Sequence, residues 1–165
     1  MSERWVLNAS PLIVLARVGR ESLFFDLVEQ VVVPRAVAME IQAGPPEDQA
    51  RQVLAVGRFA IVETPPPPAE IMAWDLGAGE TAVLSFALTE AGWTAILDDA
   101  AARKCALSFS LPIKGTLAIV LLAKQRGLIP SAAEVLRSMR ATGFYLDDQT
   151  VREALLRTVG EEWLP

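Results

Sequence analysis

Thr94-Ala95-Ile96-Leu97-Asp98-Asp99, residues 94–99, is a short apolar run that stops on two carboxylates. Too short for a helix and rich in apolar side chains, it reads as a buried strand. Ala100–Phe109 beyond it reads as a helix, and Asp is a favoured residue at such a helix start. On the other side, Gly79–Ala91 reads as a helix that turns Val83, Leu84, Phe86 and Ala87 inward. A buried strand between two helices is the repeating unit of a parallel sheet, where ligands gather at the carboxyl ends of the strands. Asp98 and Asp99 occupy that end.

The same alternation extends outward. Arg4–Leu7 is a short strand ending in Asn8, and Ser10-Pro11 then reads as an N-cap and first helical residue, with Gly19 as the stop. Glu21–Glu29 is a short helix, Val31–Val33 a β-branched strand, and Pro34–Ile41 a helix that carries Glu40. Glu47–Gly57 reads as helical, Phe59–Val62 as a strand and Pro65–Pro68 as an extended loop. After Phe109, Leu111–Ile113 is the last strand. Three helices follow: one from Gly115-Thr116 to Gly127, one capped by Pro130-Ser131, and one from Asp147-Asp148 to Val159. This predicts an α/β three-layer domain, its mostly parallel sheet of four or five short strands flanked by helices. Residues 1–165 form a single domain, with 128–165 a helical extension.

Composition narrows the chemistry. Hydrophobic residues make up 52% and charged residues 21%, the balance of a folded globular chain. No apolar run approaches the roughly 20 residues that span a bilayer, and no secretion signal is visible. A cytoplasmic location is therefore expected, and the single cysteine, Cys105, fits a reducing compartment as a buried helix residue. Histidine is absent. That excludes a Ser-His-Asp triad, a histidine zinc site and imidazole acid–base catalysis, leaving carboxylates, hydroxyls, lysine, arginine or a metal held by oxygen.

The net charge of −5 opposes a uniformly basic nucleic-acid binder, yet charge is segregated. Residues 41–99 carry nine acids against Arg51 and Arg58. Residues 100–140 carry Arg103, Lys104, Lys114, Lys124, Arg126, Arg137 and Arg140 against Glu134 alone. An acidic cluster beside a basic surface suits a metal plus a phosphate backbone, although such runs are also ordinary solvated helix faces. Glu40, Glu80 and Asp98-Asp99 each fall where a strand or helix begins or ends. Brought to one sheet edge they would repel one another unless a hard divalent cation sat among them. Taken singly, Glu80 is equally a helix-dipole carboxylate, and Ser10 and Thr116 are equally helix caps. No Gly-x-Gly-x-x-Gly follows the first strand, which disfavours a dinucleotide fold. A phospho-receiver fold would need its acidic pair after that strand as well.

Asn8-Ala9-Ser10-Pro11-Leu12-Ile13, Val33-Pro34 with Glu40-Ile41, Gly77-Ala78-Gly79-Glu80-Thr81-Ala82 and Leu97-Asp98-Asp99 with Arg103 together resemble the PIN-domain family. Gly115-Thr116-Leu117 through Ala123–Pro130 resembles a prokaryotic subgroup described as predicted nucleic-acid-binding, related to VapC-type toxins. The resemblance implies a Mg²⁺- or Mn²⁺-dependent ribonuclease. It also implies RNA as substrate and a short antitoxin as a further partner, while the apolar segments Leu12–Ala16 and Leu117–Ala123, more hydrophobic than a lone helix face needs, suggest a homodimer.

Carried over by position, the resemblance makes Glu40, Glu80 and Asp98 or Asp99 the catalytic and metal-binding acids, with Asp99 preferred. Ser10 and Thr116 become pocket hydroxyls, and Arg103, Lys104 and Lys114 backbone contacts. Asn8 departs from the pattern, because relatives place aspartate there as the central ligand. An amide oxygen can still coordinate a hard cation but brings no charge. The alternative implied is a catalytically impaired PIN-fold protein that binds nucleic acid or protein. Aromatic residues are few, so base stacking is not indicated by composition.

Overall fold

Trp5, Val6 and Leu7 are buried between two parallel neighbours, and this trio fixes the middle of the sheet. The computed structural model describes residues 3–165. Its strands are β1 (Arg4–Leu7), β2 (Gln30–Pro34), β3 (Ala60–Val62), β4 (Trp93–Ile96) and β5 (Ile113–Lys114). They form one parallel sheet in the order β3-β2-β1-β4-β5, with Arg4 opposite both Gln30 and Trp93 and Leu7 opposite Ile96. The helices are α1 (Ala9–Arg17), α2 (Leu23–Leu27), α3 (Arg35–Gln42), α4 (Gln49–Ala55), α5 (Ala69–Met72), α6 (Ala78–Thr89), α7 (Ala100–Ser108), α8 (Thr116–Gln125), α9 (Ala132–Ala141) and α10 (Asp148–Val159). The α/β architecture expected from the sequence is the one observed.

The strand order adds what the sequence could not supply. The chain builds outward from β1 through β2 to β3, then returns to the other side of β1 with β4 and β5. That reversal makes the β1–β4 junction the topological switch point, the place where an open parallel sheet binds ligands beyond its carboxyl ends. Asn8 follows β1 and Asp98 follows β4. The Asn8 N–H donates to the Ile96 carbonyl at 3.1 Å, carrying the ladder one residue past the strand.

Several boundaries differ from the sequence reading for local reasons. The N-cap of α1 is Asn8, not Ser10, and Pro11 is the third helical residue. The helix between Gly19 and β2 covers only Leu23–Leu27, because Val28 is extended. The short α5 was not anticipated; it follows the proline run directly, with Pro68 as its N-cap. The last strand lies at Ile113–Lys114, one step beyond Leu111-Pro112.

One continuous core includes Leu12, Phe24, Ile96, Leu97 and Cys105, together with Leu136, Met139, Leu155 and Trp163 from residues 128–165. The C-terminal part is tied down by Glu161. Its carboxylate accepts the N–H groups of Ala132 and Ala133, each at 2.9 Å, and the Ser131 hydroxyl at 3.0 Å. Burial pushes the Glu161 carboxyl up, but these donors at the start of α9, with Lys124 nearby, bring it below its ordinary value. Among the described residues no helix is long and apolar enough to cross a membrane.

Candidate functional site

Asn8 stands at the N-cap of α1, yet its side chain caps nothing. A capping oxygen normally accepts from the second or third helical N–H, and here the third residue, Pro11, has none. The Asn8 side chain is 4% exposed, and its Oδ1 has no hydrogen-bond partner. An unpartnered buried carbonyl oxygen is costly, on the order of 1–3 kcal/mol, and calls for a ligand or a functional role.

Glu40 comes to this oxygen from α3. That helix turns Val37, Ala38 and Ile41 into the core, so Glu40, one turn after Val37, lies on the flank of the buried stripe. Both groups meet above Gly79, the second residue of α6. A Cβ placed on Gly79 would lie 3.0 Å from Glu40 Oε1, 3.2 Å from Asn8 Oδ1 and 3.4 Å from Val37 Cγ2. Glycine therefore leaves both oxygens room that a side chain would crowd by a few tenths of an ångström, in a helical first turn where it is otherwise unfavourable. Glu80 follows it, with Oε2 bent back over Gly77. Burial first, and then the neighbouring Glu80 charge, hold the Glu40 carboxyl above its ordinary value. Acceptor oxygens thus converge without a donor, the arrangement a hard cation satisfies.

The two aspartates after β4 diverge. Asp98 turns to the start of α8, accepting the Thr116 N–H at 2.8 Å and the Thr116 hydroxyl at 2.6 Å. Asp99 is exposed and caps α7, its Oδ2 accepting the Ala102 N–H at 2.9 Å. Asp98, not Asp99, lies in the cavity beside Gly115 and Arg103. Among the described residues no three acidic or cysteine side chains are grouped to hold a metal ion. The single four-acid cluster expected from the sequence is therefore two sets at the sheet edge: Asn8 and Glu40 at Gly79 with Glu80 turned back over Gly77, and Asp98 with Thr116 at Gly115.

The hydroxyls and bases also sort themselves. Thr116 is fully buried and committed to Asp98, whereas Ser10 sits in the first turn of α1. Arg103 Nη1 donates to the Leu97 carbonyl at 2.9 Å and so stays at the carboxyl edge. Lys104 is exposed. Lys114 pairs with Glu3 at 2.8 Å, so part of its charge is already committed within the fold. Burial raises the Glu3 carboxyl, but the bonds from Lys114 and Trp5 outweigh it and leave it lowered. Much of the remaining basic run is likewise engaged, with Arg126 on the Leu27 carbonyl and Arg140 on Asp148 and the Leu146 carbonyl.

A five-strand parallel sheet with an acidic, donor-poor switch point places the molecule among α/β proteins of the nuclease-like PIN type. A family model described as a PIN domain matches residues 4–161, nearly the whole chain, and the chain belongs to the PIN-domain family. A search of curated proteins found no match. Sequence reasoning missed the role of Gly79, although a glycine inside a helical first turn was a visible signal. It also missed Tyr145, which lines the cavity beside Asp98.

Proposed function

We propose that this PIN domain is a Mg²⁺- or Mn²⁺-dependent ribonuclease whose cation site is built on Asn8 and Glu40. The single observation that carries this reading is the buried, unpartnered Asn8 Oδ1 facing Glu40 Oε1 across Gly79. Asn8 and Glu40 would hold the ion, with Glu80 as the second carboxylate close enough to feel its charge. A divalent cation held there would supply Lewis-acid polarisation of a phosphodiester and a more acidic water. Glu80, the neighbouring carboxylate, would accept a proton from an attacking water. Asp98 acts at a remove: through Thr116 it fixes the start of α8 and the adjoining wall of the cleft. Arg103 faces the same edge and suits a backbone phosphate.

The alternative is a PIN-fold binding protein without catalysis. Two observations favour it: the neutral amide at Asn8, and the absence of three grouped acids among the described residues. The two readings separate in one assay. With Mn²⁺, the nuclease reading expects the wild type to cleave single-stranded RNA and Glu40→Gln to lose that cleavage. RNA binding that survives without cleavage in either protein supports the binding module. A toxin role, a short antitoxin over the acidic edge and a homodimer go with the nuclease reading. Light scattering and co-expression with a neighbouring small gene test them.

A further inference from the structure

We infer that the cavity between α8 and the 144–151 segment is a nucleobase subsite, receiving an unpaired base of a single-stranded nucleic acid whose backbone passes the Asn8–Glu40 edge. The inference rests on the nucleic-acid reading above and adds to it where the base goes. The cavity measures about 370 Å³. Asp98, Arg103 and Gly115 are among its lining, so the cavity reaches the carboxyl edge of the sheet. Its floor is apolar, made by Leu117, Ala118 and Leu121 of α8.

Tyr145 also lines the cavity and is 83% exposed, although its neighbours Phe144 and Leu146 pack against the core. Packing therefore gives no reason for an aromatic ring at this position. A flat ring beside an apolar floor and a guanidinium is what a base requires: a face to stack on and a cation beside its phosphate. Arg103 has five N–H donors and uses one on the Leu97 carbonyl. Asp147 also lines the cavity; its Oδ2 accepts the Thr150 N–H and hydroxyl, which places a carboxylate edge near the exocyclic amino groups of a base. A duplex holds its bases stacked and paired, so the subsite selects single strands.

The test is equilibrium binding of a fluorescein-labelled single-stranded oligoribonucleotide, compared with the same sequence carrying abasic positions and with a duplex. Ca²⁺ replaces Mn²⁺ so that binding is read without cleavage. The variants are Tyr145→Ala, Tyr145→Phe, and Ala118→Trp, which fills the cavity from its floor. Wild type and Tyr145→Phe should bind the intact strand alike. Tyr145→Ala and Ala118→Trp should weaken it about ten-fold or more, the usual worth of one stacked base. The abasic strand should bind all four proteins equally weakly. Equal affinity of wild type and Tyr145→Ala for the intact strand overturns the subsite, as does a loss that is the same on intact and abasic strands. Cleavage with Mn²⁺ is scored separately. Base-dependent binding without cleavage leaves the subsite standing and removes the nuclease reading. Cleavage with no effect of Tyr145→Ala on binding removes the subsite alone.

Discussion

Asn8 Oδ1 and Glu40 Oε1 face the same point above the Cα of Gly79, two hydrogen-bond acceptors with no donor between them. They come from different strands' successors, α1 after β1 and α3 after β2, and Gly79 of α6 closes the third side. The fold holds this arrangement although it is unfavourable for electrostatics alone. The cost falls on Glu40, whose carboxyl is held up by burial and by Glu80. In the proposed function a bound cation would relieve it.

Gly79→Ala should separate stability from ion binding. In the first turn of α6 alanine is the better helix former, by up to about 1 kcal/mol. Its Cβ would lie 3.0 and 3.2 Å from the two oxygens, so both must give by a few tenths of an ångström and their spacing is disturbed. We expect urea unfolding within about 1 kcal/mol of wild type, on either side, together with loss of the Mn²⁺-induced rise in melting temperature. A variant that keeps the full Mn²⁺ response would place the ion elsewhere.

The Glu40–Glu80 repulsion has a defined pH signature. Because the folded-state value of Glu40 lies above the ordinary 4.5, ionising it costs the folded protein more than the unfolded chain. Its contribution to stability is therefore most favourable while it is protonated. It declines as pH rises through 4.5 and on through the raised value. Glu40 is solvent-accessible, so screening keeps the effect small, about 1–2 °C in melting temperature. Glu40→Gln should melt higher than wild type at pH 7 and lose that advantage below pH about 4, as thermal denaturation across pH would record. A wild type more stable than Glu40→Gln at neutral pH without divalent ions would contradict the repulsion.

Asp98 should behave as a structural residue as well as a site residue. Its two bonds to Thr116 anchor the first turn of α8, and Thr116 is fully buried. Asp98→Ala should cost about 1–3 kcal/mol in urea unfolding, and Thr116→Val less, because Val keeps the backbone N–H bond. Asp99→Ala should cost about 1 kcal/mol through its cap on α7, with cleavage little changed. Cleavage lost in Asp99→Ala at preserved stability would restore Asp99 to the centre of the site.

Much of this was legible in the chain because period and punctuation agree. Thr94–Leu97 between two helical stretches, the β-branched Val31–Val33, and Asp99, Ser131 and Asp147 at their caps are local signals, and the observed elements follow them closely. Strand order is not local, so the switch point beside Asn8 could only be anticipated as a sheet edge. The site was half legible. Carboxylates at element ends were visible, but which way each turns depends on nearby donors: Thr116 N–H draws Asp98 and Ala102 N–H draws Asp99. Asn8 as an idle cap depends on Pro11 lacking an N–H, a detail that matters only once the helix start is known. Lys114 shows the limit of charge counting, since its partner Glu3 is 111 residues away in sequence.

The central claim is that Asn8, neutral as it is, completes a divalent-cation site with Glu40. Calorimetric titration of wild type, Asn8→Asp and Glu40→Gln with Mn²⁺ tests it most directly. The account predicts one ion bound by wild type, tighter binding by Asn8→Asp because a charge replaces a dipole, and none by Glu40→Gln. Wild type that takes up no Mn²⁺ while Asn8→Asp binds it and cleaves RNA would contradict the account and leave this chain a PIN fold that binds without cutting.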